Sequence, residues 1–327
     1  MEQVVRELAG LPVAGLTSGE LGAAVSAVIK PLVGHDGLRM VGYGPSAHGG
    51  LGSFSFVHGY EPDFGRALYH GISVGDDPYP IEVLERQAVP GAVVASGRIF
   101  HDYGVGGELR VALRTPRGVW GTIGLLRGEG TKPFSDKDTV AIAELIPGLV
   151  DLLRRYVTAA PLVPPGPTPM AGVALLGRDG RIRVATPEAR QWLDLLWDDK
   201  AGPSWVIEAG LKFLALRART SPEPPPIVGP AASYGHWVAL QAQLLGDEVA
   251  IVLQPATGER MLPAFADWYG LTAREREVVA RLYGASAPKQ IARQLDLSVH
   301  TVNEHLKSLY RKTGASSRDE LVAALAG

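Results

Sequence analysis

Residues 296–314 read DLSVHTVNEHLKSLYRKTG and hold the side chains best suited to chemistry. His300, Asn303, Glu304, Lys307 and Arg311 recur at spacings of three and four, which places them on one face of a helix. Val299, Val302, Leu306 and Leu309 form the opposite, apolar stripe. The polar set matches the edges of nucleic-acid bases. An amide offers a donor and an acceptor to adenine, a lysine reaches guanine or phosphate, and a carboxylate accepts from the cytosine amino group. Lys289, Ser298 and Thr301 precede or open this helix, where donors and free backbone N–H groups meet phosphates. The plain alternative is a solvated face whose last cations, Arg311 and Lys312, complement the helix dipole. His305 lies beside Leu306 and Leu309 and reads as a packed residue rather than a base reader.

The surrounding residues read as four helices. Thr272 caps the first, Glu275 stands at the position that completes a capping box, and Gly284 stops it. The second runs from 287 to 295 and buries Ile291, Ala292 and Leu295. A tight DLS turn follows, then Ser298 caps the third helix and Gly314 ends it. Ser317 and Glu320 open the fourth. Two short helices joined by a tight turn put the second into the major groove. Over 271–327 the pattern LTAREREVV…PKQIARQLDLS…TVNEHLKSLYRKTG resembles the LuxR-type helix-turn-helix. The resemblance implies a dimeric regulator of transcription on double-stranded DNA, with the fourth helix at the dimer contact and RNA polymerase a candidate protein partner. Gln290 stands where the family has Glu, Thr313 where it has Leu, and Asn303 and Glu304 where many members have Lys and an apolar residue. These departures bear on base preference rather than on the module.

Charge supports a division of labour. Residues 271–327 hold 9 Lys/Arg and 6 Asp/Glu, a net of +3, in a chain of net charge −2. A basic end on an acidic body points to phosphate contact by that end alone. The 327 residues contain no cysteine, which excludes disulfides and thiolate metal sites. The 8 His are scattered, and no HExxH, G-x-S-x-G, P-loop or paired-carboxylate motif occurs. The expectation is no enzyme activity, no cofactor and no metal. No run of 18 apolar residues spans a membrane, and the opening MEQVVRELAG lacks a secretory pattern, so a cytoplasmic chain without a membrane partner is expected.

Ahead of this block, the expected organisation is an α+β multidomain chain. Residues 1–158 show a helix opened by Ser18, short strands, and a hairpin turned at TPRG. A capped helix from Ser135 follows, kinked at Pro147. This order resembles a GAF domain, an α/β sandwich that senses small molecules or mediates dimerisation. Tyr69, His70, Tyr79, Tyr103 and Trp120 are its candidate ligand-lining residues. A proline-rich spacer covers 159–169. Residues 170–256 run strand, Asp179-Gly180 turn, strand, a helix opened by Thr186-Pro187, and a closing hairpin at Gly246-Asp247. They resemble a PAS domain, a small α+β fold, with Thr186 where many members have Asn. A second linker is expected at 257–268, and 269–327 forms the all-α DNA-binding end. The functional expectation is a homodimeric regulator controlled by a small-molecule effector or partner at the front domains. The alternative is a DNA-binding regulator whose front domains only dimerise or bind proteins.

Overall fold

Two antiparallel sheets built in one strand order precede a set of C-terminal helices. The computed structural model describes residues 1–46, 53–94, 98–164, 166–198, 202–221 and 223–326. The first unit contains α1 (Glu2–Gly10), α2 (Ser18–Ile29), β1 (Gly37–Gly42), β2 (Phe54–His58), α3 (Pro62–Val74), α4 (Ile81–Leu84), β3 (Gly91–Val94) and α5 (Arg98–Asp102). It continues through β4 (Val105–Thr115), β5 (Gly118–Gly128), α6 (Asp136–Glu144) and α7 (Ile146–Thr158). The second unit is β6 (Gly172–Leu176), β7 (Ile182–Ala185), α8 (Pro187–Leu196), α9 (Ser204–Thr220), β8 (Ile227–Gly229), α10 (Ala231–Tyr234), β9 (Val238–Leu245) and β10 (Glu248–Pro255). The sheets run β2-β1-β5-β4-β3 and β7-β6-β10-β9-β8, the same arrangement when strands are counted within each sheet.

Alternation along the strands sorts the first sheet into two faces. Leu38, Met40, Phe56, Leu109, Val111, Ile123 and Leu125 pack into the main core with the helices α2 and α7. The other face carries Arg110 yet is buried, because Phe64 and Leu68 of α3 and Trp205 of α9 close over Val57 and Leu126. Charged residues beneath them must therefore satisfy one another. Glu108 accepts from Arg110 at 2.7 and 3.2 Å, from Arg39 at 3.5 Å and from the Tyr60 hydroxyl at 3.2 Å. Arg110 also reaches Asp77 at 2.6 Å. Burial alone would raise the Glu108 carboxyl, but the Arg110 and Arg39 guanidiniums hold it below the usual carboxylate range.

The second unit clamps onto this face. Gly65 of α3 lies so close to Trp205 that a Cβ there would sit 2.5 Å from the indole ring. The Tyr234 hydroxyl donates to the Ser53 carbonyl at 2.5 Å. Tyr156 of α7 hydrogen-bonds the Ser233 hydroxyl at 3.1 Å, and burial pushes its phenol up to about 12.

The remaining elements are α11 (Gly258–Trp268), α12 (Ala273–Tyr283), α13 (Pro288–Gln294), α14 (Val299–Thr313) and α15 (Arg318–Ala326). The stretch expected as a linker is thus a helix, with Pro263 inside it. Its apolar side, Met261, Phe265 and Trp268, is fully buried in a core that runs on from the first unit into the last helices. Trp268 packs against Phe54 at 5.6 Å and Trp120 at 5.5 Å between ring centroids.

Local expectations needed smaller corrections. Thr17, not Ser18, caps α2, in a box with Glu20. Pro147 does not kink one helix but begins a new one, since it cannot donate to the turn before it. The Asp179-Gly180 turn is longer than two residues, closing from the Gly177 N–H to the Arg181 carbonyl at 2.9 Å. Residues 51–52 and 95–97 of two expected strands, 165 of the spacer, 222 of the proline run and 327 lie outside the described residues.

Among the described residues the Trp268 indole N–H is buried without a hydrogen-bond partner, so its contribution is packing. Trp268→Ala should lower stability by about 3–5 kcal/mol in urea unfolding. Trp268→Phe should recover most of that loss.

Candidate nucleic-acid interface

Four short elements position the reading helix. The turn between α13 and α14 passes through Asp296 at φ 51°, a left-handed conformation that Asp tolerates. The Leu297 N–H bonds the Ala292 carbonyl at 2.9 Å, and Arg274 of α12 donates to the Leu295 carbonyl at 2.6 Å. Ser298 then caps α14: its hydroxyl accepts the Thr301 N–H at 3.0 Å and pairs with the Thr301 hydroxyl at 2.8 Å. Ile291, Ala292, Val302, Leu306 and Leu309 are buried between the helices. Val299, expected in that stripe, is 39% exposed. It opens the helix, so its side chain leans beyond the first turn instead of onto α13. Leu295 is half-buried.

With that stripe inside, His300, Asn303, Glu304, Lys307 and Arg311 are all exposed on α14. Lys289 and Ser298 are exposed, while Thr301 and His305 are half-buried. The carboxylate in the middle of the face is not isolated. Lys307 donates to Glu304 at 2.8 Å, and this bond lowers the Glu304 pKa. Arg311 reaches the Ser308 hydroxyl at 3.5 Å. The stripe therefore offers an amide, an internally balanced acid–amine pair and a guanidinium.

A second carboxylate holds this surface in place, and its reach beyond α12 was not evident from its capping position. Glu275 is 3% exposed. It accepts the Thr272 N–H at 2.6 Å, Lys312 of α14 at 2.6 Å and the Ser308 hydroxyl of α14 at 2.7 Å. One side chain thus caps α12 and fastens α14 across it. Burial alone would raise its pKa, but Lys312, the Thr272 N–H and Ser308 hold it at about 2.

The candidate ligand residues of the first unit do not converge on one place. Tyr69, His70 and Tyr103 line a surface groove of about 420 Å³ between α3 and α9, together with Arg66, Glu208 and Lys212. Tyr79 lines a different depression, beside β3 and α6. Trp120 lies on the opposite face of the sheet, 2% exposed, with its indole N–H bonded to Thr115 at 2.9 Å. It is a core residue because the apolar side of α11 covers it. Among the described residues no group of three or more metal-ligating side chains occurs, and no helix is long and apolar enough to cross a membrane.

Residues 270–325 match the family model described as bacterial regulatory proteins, luxR family. This segment is a LuxR-type helix-turn-helix. Over 53 residues it is 47% identical to the monoamine regulon transcriptional regulator of Klebsiella aerogenes, covering 16% of this chain and 23% of that one. It is 49% identical over 53 residues to "Probable transcriptional regulatory protein SgaR" of Hyphomicrobium methylovorum, covering 16% and 25%. The chain thus spans about a quarter of the length of each of these relatives. The crystal structure of Escherichia coli SdiA overlays 99% of this chain and 94% of that one, at a TM-score of 0.35 and 11% identity. So low a score leaves the architecture of the front half to be judged on its own strands and helices.

Glu275 makes the stability of the C-terminal helices depend on pH at the acid end. Its folded pKa of about 2 lies below the ordinary 4.5, so its stabilisation is complete above about pH 4.5 and lost as pH falls toward 2. Glu275→Gln should lower the melting temperature at pH 7 and flatten its dependence on pH between those values, as read by circular dichroism.

Proposed function

We propose that this protein is a sequence-specific DNA-binding regulator of transcription, working as a homodimer under the control of its front half. The observation that carries the reading is the exposed polar stripe of α14, set opposite a buried stripe in a segment of the luxR family. In this reading α14 lies in the major groove. Lys289, the Ser298–Thr301 cap, Lys307 and Arg311 hold phosphates, while Asn303 and Glu304 meet base edges. The first unit acts as a GAF-like domain and the second as a PAS-like domain, and a small molecule there shifts the placement of the reading heads. The element order and the matching strand orders support that assignment.

One observation favours a second reading for the first unit. Its inner face is filled by Arg39, Glu108, Arg110 and aromatic rings rather than left open. On that reading the first unit is an interaction scaffold, and any effector acts elsewhere.

Genome-wide footprinting of the bound chain should yield discrete sites with two half-sites in fixed spacing. Uniform coverage without preferred sites would overturn the regulator reading.

The acid on the reading face makes a finer prediction. Breaking the Glu304–Lys307 pair removes an acceptor and releases a cation. Glu304→Ala should blur preference at one base position in selected binding sites while leaving overall affinity equal or higher. Lys307→Ala should weaken binding across sequences and reduce the slope of log affinity against log salt by about 1.

A further inference from the structure

The first sheet ends at β3, and among the described residues no strand lies beyond it. The Ala112 N–H bonds the Pro90 carbonyl at 2.6 Å, and Gly91 stands opposite Val111. Hydrogen-bonded residues alternate along an antiparallel pair. Ala92 therefore turns its backbone groups toward β4, while Gly91 and Val93 turn theirs outward. The Gly91 N–H is taken by the Val89 carbonyl at 2.7 Å. The Gly91 carbonyl and both backbone groups of Val93 stay at the edge. The strand is short, but none of its residues carries a charge to keep another strand away.

The helix above this edge has an exposed side of its own. Helix α6 lies over β3 and β4, so close that a Cβ at Gly91 would sit 2.8 Å from the Thr139 methyl. Thr139 and Ile142 form its buried side. Lys137, Val140, Ala141 and Glu144 fall on one outward stripe at helical spacing. Val140 is 45% exposed and lines a depression shared with Val89 and Val93 at the strand. Lys137 and Glu144 are exposed, and among the described residues neither has an ion-pair partner. The pair that α6 does make joins Asp138 to Arg127 at 3.6 Å.

The order of charges along the stripe selects its occupant. Two such stripes packed in parallel would set lysine beside lysine and glutamate beside glutamate. Packed antiparallel about a twofold axis, Val140 meets the second copy's Ala141, and Lys137 meets the second copy's Glu144 at both ends. The two pairings share one centre, between positions 140 and 141, so a single axis serves both. The same axis sets two β3 edges antiparallel. Paired strands lie about 4.8 Å apart. A helix seated between β3 and β4 then lies roughly 10 Å from its copy, and packed helices lie about 8–10 Å apart. We propose that a second copy of this chain docks on β3 and α6, joining the two first-unit sheets edge to edge with the α6 helices paired above the join. The inference rests on the homodimer reading and names the surface that carries it.

The chain has no cysteine, so one introduced thiol reports on one surface. Val140→Cys in the full chain, treated with a short bismaleimide, should give a covalent dimer on a denaturing gel. Val184→Cys, at a position 60% exposed on β7, should stay monomeric on the same gel. In sedimentation equilibrium, Lys137→Glu and Glu144→Lys should each weaken dimerisation at least tenfold. The two reversals together should bring it back to within about threefold of the unaltered chain, since they exchange the ends of the same pairs. Each reversal alone places an acid in the first turn of α6 or a base in the last, which suits the helix dipole, so a lost dimer is not a lost helix. A dimer unmoved by both single reversals, or Val184→Cys crosslinking as readily as Val140→Cys, overturns this surface and leaves the homodimer reading standing. A chain that stays monomeric at every concentration, free and on DNA, overturns both.

Discussion

The Asp267 carboxylate joins the two ends of the chain. One oxygen accepts the Ser46 N–H of the first unit at 2.6 Å, and the other accepts Arg276 of the reading segment at 2.5 Å. The group is 3% exposed, so both bonds act where water competes poorly. Around it, Arg154 of α7 donates to the Trp268 carbonyl at 3.2 Å, and Lys312 donates to the Gly270 carbonyl at 3.1 Å. The helix α11 is therefore a shared wall. Its apolar side completes the core of the first unit, and its end sets the start of the DNA-binding helices. Through Trp268 and Asp267 it touches α7 and β2 on one side and α12 on the other.

The same joint explains which features were legible in the amino-acid order. The helices from 271 onward were readable because their signals are local: caps at Thr272 and Ser298, a stop at Gly314, and apolar residues at helical spacing. Glu275 was readable as a capping residue, but its bonds to Lys312 and Ser308 cross from one helix to another. The helix at 258–268 was hidden by Pro263 and by its place between two apparent domains. What makes it a helix is a surface on the first unit more than a hundred residues earlier. The buried face of the first sheet was hidden for a related reason. Arg110 alternates with apolar residues as a solvent-facing residue would, and only α3 and α9 closing above it make it an interior charge.

Interior charge has a cost in freedom as well as in solvation. A buried carboxylate held by two guanidiniums tolerates little displacement of any partner. In the first unit that face is filled by the Arg39, Glu108 and Arg110 cluster and by aromatic rings. The exposed face of α14 is balanced differently. Its cap is already satisfied and its acid–amine pair is internally neutral, so the free protein presents little unpaired charge at the centre of the reading face.

The packing of Trp268 against Phe54 and Trp120 also has a meaning in time. The Ser46–Asp267 contact closes a separation of 221 residues. During synthesis the sheet of the first unit is complete long before α11 exists, and chains grow at about 5–20 residues per second. For roughly 7–28 seconds at that rate, the aromatic patch that α11 will cover stands open on the nascent chain. The first unit must then be held by its other contacts until α11 is made.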